Sequence, residues 1–157
     1  MANLFVASEI LEINIAEEKN GAAYYGTLAN SAKSEVLRKA AAEIAAQEKT
    51  HEKRFTELLE KVREREPQET YPGEFDAYIK ALMGNKMFDN EENAREIAKS
   101  KSDADAVKLA IQTEEATLKL LHELKKHVEK DELKYVLLTI EEEEDHVNQL
   151  NEILKAL

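Results

Sequence analysis

Apolar residues recur every three to four positions along four long stretches of the chain, which is the spacing of amphipathic α-helices. Ser34 is placed to cap the second helix, and Pro67 ends it because proline cannot continue a helix. Ser102 or Asp103 is a suitable cap for the third helix. The pattern predicts helices over about residues 4–30, 34–66, 102–130 and 131–157.

The connection between the second and third helices is much longer than the other two. It covers residues 67–101 and contains two segments that we predict to be short helices, at about 73–82 and 91–100. A short turn makes neighbouring helices antiparallel, whereas a long crossover lets the third helix run parallel to the second. We therefore predict an all-α, ferritin-like four-helix bundle that forms a single domain over residues 1–157.

Composition narrows the classes of function. The net charge of −11 repels nucleic acid, so we expect no nucleic-acid partner. No stretch is long and apolar enough to span a membrane, and no basic segment precedes an apolar run as in a signal peptide, so we expect no membrane association. The chain has no cysteine, which excludes disulfides and iron–sulfur sites within it. A reducing cytoplasm is the expected location.

Two Glu-x-x-His pairs interrupt the apolar stripes of the second and fourth helices. Glu48 and His51 lie on the apolar face of helix two, and Glu143 and His146 repeat this arrangement on helix four. Positions i and i+3 project to the same side of a helix, so each pair places a carboxylate and an imidazole in the interior. The pattern predicts that both pairs face the centre of the bundle.

The other two helices each offer a carboxylate for the same place. On helix three, Glu114 lies within the apolar stripe and Glu115 lies on the polar face. On helix one, periodicity does not choose between Glu17 and Glu18. Glu18 precedes Glu48 by 30 residues and Glu114 precedes Glu143 by 29, so the two helical hairpins place their carboxylates at one level.

Buried carboxylates cost several kcal/mol each, on the order of 2–7, unless a positive charge neutralises them. Imidazole and carboxylate together suit first-row metals, and two divalent cations balance four carboxylates. The sequence therefore predicts a site for two metal ions. Iron and manganese both accept these ligands.

The chain resembles the rubrerythrin-like branch of the ferritin-like diiron-carboxylate proteins over essentially its whole length. The family pattern of a ligand Glu, then Gly at +3 and Tyr at +7, falls on Glu18, Gly21 and Tyr25, which favours Glu18 over Glu17. The segments that carry the resemblance are AEEKNGAAYY (16–25), AAQEKTH (45–51), AIQTE (110–114) and IEEEEDH (140–146).

This resemblance implies roles for the individual residues. Glu48 and Glu143 would bridge two iron ions, and Tyr25 would hydrogen-bond a ligand or pass an electron. Of the remaining ligands, Glu18 and Glu114 would cap the outer sides, and His51 and His146 would each bind one ion.

The chain also departs from the family pattern. It has no cysteine and so no rubredoxin-type domain, which implies an external electron donor such as a rubredoxin-type carrier. Rubrerythrins carry an extra carboxylate where this chain has Thr117, and the counterpart of Tyr25 on helix three is Leu121. A homodimer is expected by analogy.

Three functions follow as hypotheses. The first is an oxidoreductase that reduces hydrogen peroxide or oxygen, the second is ferritin-like iron binding or storage without redox turnover, and the third is a metal-free helical interaction protein. The remaining histidines, His122 and His127, are expected on the polar side of helix three. Similarly, Glu141, Glu142 and Glu144 are expected on a solvated face.

Overall fold

The computed structural model describes residues 7–65 and 72–157, and in the second range the side chains from residue 77 onward. None of the described helices is both long enough and apolar enough to cross a membrane. The described residues form six helices: α1 Ala7–Ser31, α2 Glu35–Arg65, α3 Pro72–Met83, α4 Glu91–Ser100, α5 Asp103–Leu124 and α6 Lys130–Ala156.

Four of these helices make the bundle and two belong to the crossover. The α1 helix packs along α2, and α5 packs along α6, while α1–α5 and α2–α6 contacts join the two pairs. The crossover helix α4 lies against α1, and α3 lies against α5. This arrangement is the ferritin-like bundle that the short, long, short order of connections predicts.

Local signals start and stop the helices where the sequence indicates. The Ser34 hydroxyl accepts a hydrogen bond from the Leu37 N–H at 3.2 Å, and Ser102 accepts one from Asp105 N–H at 3.2 Å, so both serines are N-caps. Gly84 follows α3 with φ of 79°, a left-handed conformation that favours glycine.

The predicted end of the third bundle helix near Lys130 is wrong. The α5 helix ends at Leu124, and the next residues form a turn in which the His127 N–H bonds to Leu124 O at 2.9 Å. Glu129 and Glu132 then form a capping box that starts α6 at Lys130. Charged residues without helix breakers fill this turn, so periodicity did not reveal it. Residues 4–6 and 66 of the predicted helices lie outside the described residues.

The interior consists of two apolar regions on either side of a polar layer. One region is rich in alanine and aromatic residues and includes Tyr24, Tyr25, Ile44, Phe88, Ala94 and Val107. The other is built from larger aliphatic residues and includes Leu11, Phe55, Leu58, Leu121 and Val136. Buried glutamates and histidines occupy the level between them, and the apolar regions separate that level from bulk water at both ends of the bundle.

Candidate metal centre

The four bundle helices bring all six predicted ligand residues together. The α1 helix supplies Glu18, α5 supplies Glu114, and α2 and α6 each supply one Glu-x-x-His pair. None of the six is more than 3% exposed. Two groups of four side chains, each with its donor atoms within 4.8 Å of one another, share two members: Glu18, Glu48, His51 and Glu143 in one, and Glu48, Glu114, Glu143 and His146 in the other.

Both histidines direct the same ring atom towards the carboxylates. His51 Nδ1 lies 3.1 Å from Glu143 Oε1 and 3.4 Å from Glu18 Oε2. His146 Nδ1 lies 2.8 Å from Glu143 Oε2 and 3.7 Å from Glu114 Oε1. The two rings are stacked, with centroids 5.9 Å apart. Glu143 therefore lies between the two imidazoles and offers one oxygen to each.

No Lys or Arg among the described residues forms an ion pair with the four carboxylates, whose only such partners are the two histidines. Burial and the charge of Glu143 raise the pKa of Glu18, and the same two causes raise the pKa of Glu114 to about 8. Burial also raises the pKa of Glu48 well above its ordinary value. The centre thus holds four carboxylates and, among the described residues, two imidazoles as their cationic partners.

The pKa values of the two histidines and of Glu143 shift so as to favour the charged form, unlike those of the other three carboxylates. Burial alone lowers the pKa of His51, but the carboxylates of Glu143 and Glu18 beside its Nδ1 raise the value to about 10. His146 behaves in the same way through Glu114 and Glu143, and its pKa is about 9. Burial acts to raise the pKa of Glu143, but the hydrogen bond with His146 and the nearby imidazole of His51 lower it. Protons on the imidazoles therefore act as the site's cations when no metal is bound.

Several donor atoms of the cluster remain unsatisfied by the protein. Within the described residues, both oxygens of Glu18, Oε1 of Glu143 and Nδ1 of His51 are buried without a hydrogen-bond partner. Buried polar atoms in native proteins are nearly always bonded, so such a group of orphaned atoms indicates a missing partner. Because carboxylate oxygens and imidazole nitrogens are ligands of first-row metals, the residues present fit a bound metal.

The structure separates the two helix-one candidates. Glu18 joins the cluster, whereas Glu17 lines a cavity of about 490 Å³ between α1, α3 and α5 that also contains Lys86. Burial raises the pKa of Glu17, and the charge of Lys86 opposes this shift. The geometry therefore agrees with the choice of Glu18 that the family pattern favours.

Tyr25 lies beside the cluster on α1. Its ring is buried, and its hydroxyl donates a hydrogen bond to Glu114 Oε1. Burial and the charge of Glu114 raise the pKa of Tyr25 well above its ordinary value, so the phenol keeps its proton. The neighbouring Tyr24 has a structural contact, because its hydroxyl donates to Ala106 O at 2.6 Å. The catalytic role of Tyr25 stays a prediction.

The expectation that Glu142 lies on a solvated face is wrong. Its carboxylate lies 2.8 Å from His51 Nε2, on the side of the ring away from the cluster, and Arg54 donates to the same oxygen at 2.8 Å. Gln47 is a second residue that the sequence did not reveal, and its amide oxygen contacts His146 Nε2. Both side chains bridge α2 and α6, and the periodicity of a single helix does not show such a contact.

The other expected surface residues lie outside the cluster. Glu141, Glu144 and His122 are exposed, as predicted. His127 is half-buried in the turn after α5, not on the helix itself, and its Nε2 lies 3.1 Å from Glu123 Oε1. It is a satisfied histidine and does not reach the metal centre.

Fold and site together define a ferritin-like bundle with a buried glutamate and histidine cluster that can hold metal. The family model of rubrerythrin matches residues 9–104, which is more than half of the chain, and the chain belongs to the rubrerythrin family. The matched part contains Glu18, Glu48 and His51; the other three cluster residues follow it and are placed by the structure. Comparisons with curated proteins and with solved structures returned no match.

Proposed function

We propose that the chain binds two iron ions in the buried cluster and reduces hydrogen peroxide or oxygen with electrons from another protein. The observation that carries this proposal is the sharing of Glu48 and Glu143 by two adjacent groups of four donors. Two shared carboxylates between two sets of donors form a dinuclear site. Glu18 and His51 would complete one position, and Glu114 and His146 the other. Manganese fits the same donors.

Bound iron would supply the electrons for the reaction by cycling between its ferrous and ferric states. The chain's own residues shield this chemistry, because the six ligand side chains are almost fully buried between two apolar regions. Tyr25 holds a proton at its hydroxyl oxygen, within hydrogen-bonding reach of Glu114. We propose that Tyr25 orients Glu114 and can transfer a proton or an electron to the site.

Partners and location belong to the same proposal. The chain has no cysteine with which to hold a rubredoxin-type iron, so we propose a separate carrier of that type as the electron donor. We also propose that the protein acts as a homodimer in the cytoplasm. Reduced rubredoxin should reduce the oxidised protein in a stopped-flow experiment, and light scattering should give twice the chain mass of 17.8 kDa.

The central test loads the protein with ferrous iron under anaerobic conditions, measures iron per chain, and mixes it with hydrogen peroxide. We expect two irons per chain and rapid formation of the absorption of the diferric product. His51→Ala should lose iron and react slowly, whereas His122→Ala, which removes an exposed histidine, should behave like the wild type. Iron binding with oxidation no faster than in His51→Ala would refute the redox function and leave iron binding alone.

A further inference from the structure

The two histidines of the cluster are alike towards the carboxylates and different on their outer sides. Each directs Nδ1 inward, and each has one partner at Nε2. For His51 this partner is the carboxylate of Glu142, at 2.8 Å, and for His146 it is the amide oxygen of Gln47. Both partners can accept the Nε2 proton, so that a cation can displace the Nδ1 proton and bind there, but only Glu142 carries a negative charge.

The carboxylate behind His51 is also held more firmly. Arg54 donates to Glu142 Oε2 at 2.8 Å and to the hydroxyl of Thr139 at 2.7 Å, and Thr139 is fully buried. Gln47 is exposed, and its contact with His146 is the single side-chain hydrogen bond that it makes to the described residues. The side chain of Glu142 is 30% exposed but has Arg54 as a second, charged partner, so water competes for Gln47 more readily than for Glu142.

The two glutamates that belong to one group each, Glu18 and Glu114, also differ in a way that favours the position of His51. Glu114 accepts a hydrogen bond from the Tyr25 hydroxyl, which draws charge from its carboxylate. Neither oxygen of Glu18 accepts a hydrogen bond from the described residues. Glu48 and Glu143 belong to both groups, so the two positions differ in their remaining residues.

We propose that the two metal positions are unequal: the position of His51 and Glu18 binds a divalent cation more tightly and fills first, and that of His146 and Glu114 is the exchangeable one. Glu142, fixed by Arg54, is the positioning residue responsible. A carboxylate that accepts the outer N–H of an imidazole makes the opposite nitrogen a stronger ligand, and the loss of such a partner typically lowers metal affinity by about 10–100-fold. The inference rests on the proposed dinuclear site.

The order of filling can be observed by adding Zn²⁺ to metal-free, ¹⁵N-histidine-labelled protein and following the imidazole nitrogens by NMR. The first equivalent should shift Nδ1 of His51, and the second should shift Nδ1 of His146. Simultaneous shifts, or His146 first, would overturn the inference. If neither histidine responds, the cluster does not bind the cation, and the proposed function fails instead.

Variants connect the order to Glu142. Glu142→Gln should weaken the first binding step by about 10–100-fold in calorimetry and bring the two histidine responses together. Glu141→Gln removes an exposed charge from the adjacent position and should change neither measurement.

Gln47→Glu gives His146 a carboxylate of its own and should strengthen the second step. Unchanged first-step binding in folded Glu142→Gln would contradict the assignment to Glu142, as would a second step that Gln47→Glu does not strengthen.

Discussion

Two buried glutamates of the bundle have almost the same exposure and opposite electrostatics. Glu48 is 3% exposed and its pKa is raised well above the ordinary value, while Glu132 is 4% exposed and its pKa is lowered. Burial favours the neutral form at both positions. The surroundings and the partners differ. Glu48 lies among three other carboxylates and pairs with no Lys or Arg of the described residues, whereas Arg65 donates to Glu132 at 2.5 and 3.2 Å.

Glu132 is a structural carboxylate with protein partners, whereas Glu48 lacks a neutralising Lys or Arg among the described residues. Glu132 also accepts the Glu129 backbone N–H at 2.9 Å, so its partners are complete and it helps to start α6. In the central cluster the donor atoms already lie close together, but the negative charge of the carboxylates is not fully balanced by the described residues. A metal ion would supply the positive charge at the centre that Arg65 supplies to Glu132.

The largest effect is expected from metal itself. Adding Mn²⁺ to metal-free protein should raise its stability, because a ligand that binds only the folded state at 1,000 times its Kd contributes about 4 kcal/mol. For a chain of this size, that corresponds to a rise in Tm of about 8–16 °C per filled site. Differential scanning fluorimetry measures it. An unchanged Tm at saturating Mn²⁺ would contradict the view that the central carboxylates, unlike Glu132, take a metal ion as their cationic partner.

Replacing a central carboxylate should stabilise the metal-free protein. Glu48→Leu removes a buried acid that has no Lys or Arg among the described residues as a partner. We therefore expect an increase of about 1–3 kcal/mol in the free energy of unfolding, together with loss of the response to Mn²⁺. Urea denaturation with and without metal checks both effects. Glu43→Leu, at an exposed position of the same helix, should change stability by no more than about 0.5 kcal/mol.

The same kind of change at the paired carboxylate should have the opposite sign. Glu132→Ala leaves Arg65 without this partner and breaks the capping box, so stability should fall by about 1.5–3 kcal/mol whether or not metal is present. Asp131→Ala, which removes an exposed acid one residue earlier, serves as the control in the same urea titration. A stable Glu132→Ala protein would show that a paired carboxylate is as dispensable as we expect Glu48 to be.

The last prediction concerns the dependence of stability on pH. Burial acts to raise the pKa of Glu123, but Tyr78, His127 and Lys126 lower it to about 2. A lowered pKa in the folded state stabilises the protein above the unfolded value near 4.5, and this contribution disappears as pH falls towards 2. Wild type should therefore exceed Glu123→Gln in stability by about 1–3 kcal/mol at pH 6, with the difference shrinking towards pH 3. A difference that grows with acid would contradict this assignment.

The sequence by itself determined the helices of the bundle, the long crossover and the six residues that meet in its centre. Local rules suffice for these features, because helical periodicity defines the inward face and Glu-x-x-His spacing puts two donors on it. Periodicity could not choose between Glu17 and Glu18, since each shares a face of helix one with apolar residues. The family pattern made that choice.

Only the tertiary structure decided what lies behind the histidines. Glu142 and Gln47 belong by periodicity to the outer faces of their helices, and each reaches a histidine on the facing helix. Such contacts depend on the rotation and separation of two packed helices, and no single-helix pattern encodes them. The end of α5 at Leu124 was also not predicted, because the turn that follows contains no glycine or proline and closes through backbone hydrogen bonds from residues 126 and 127 to Glu123 and Leu124.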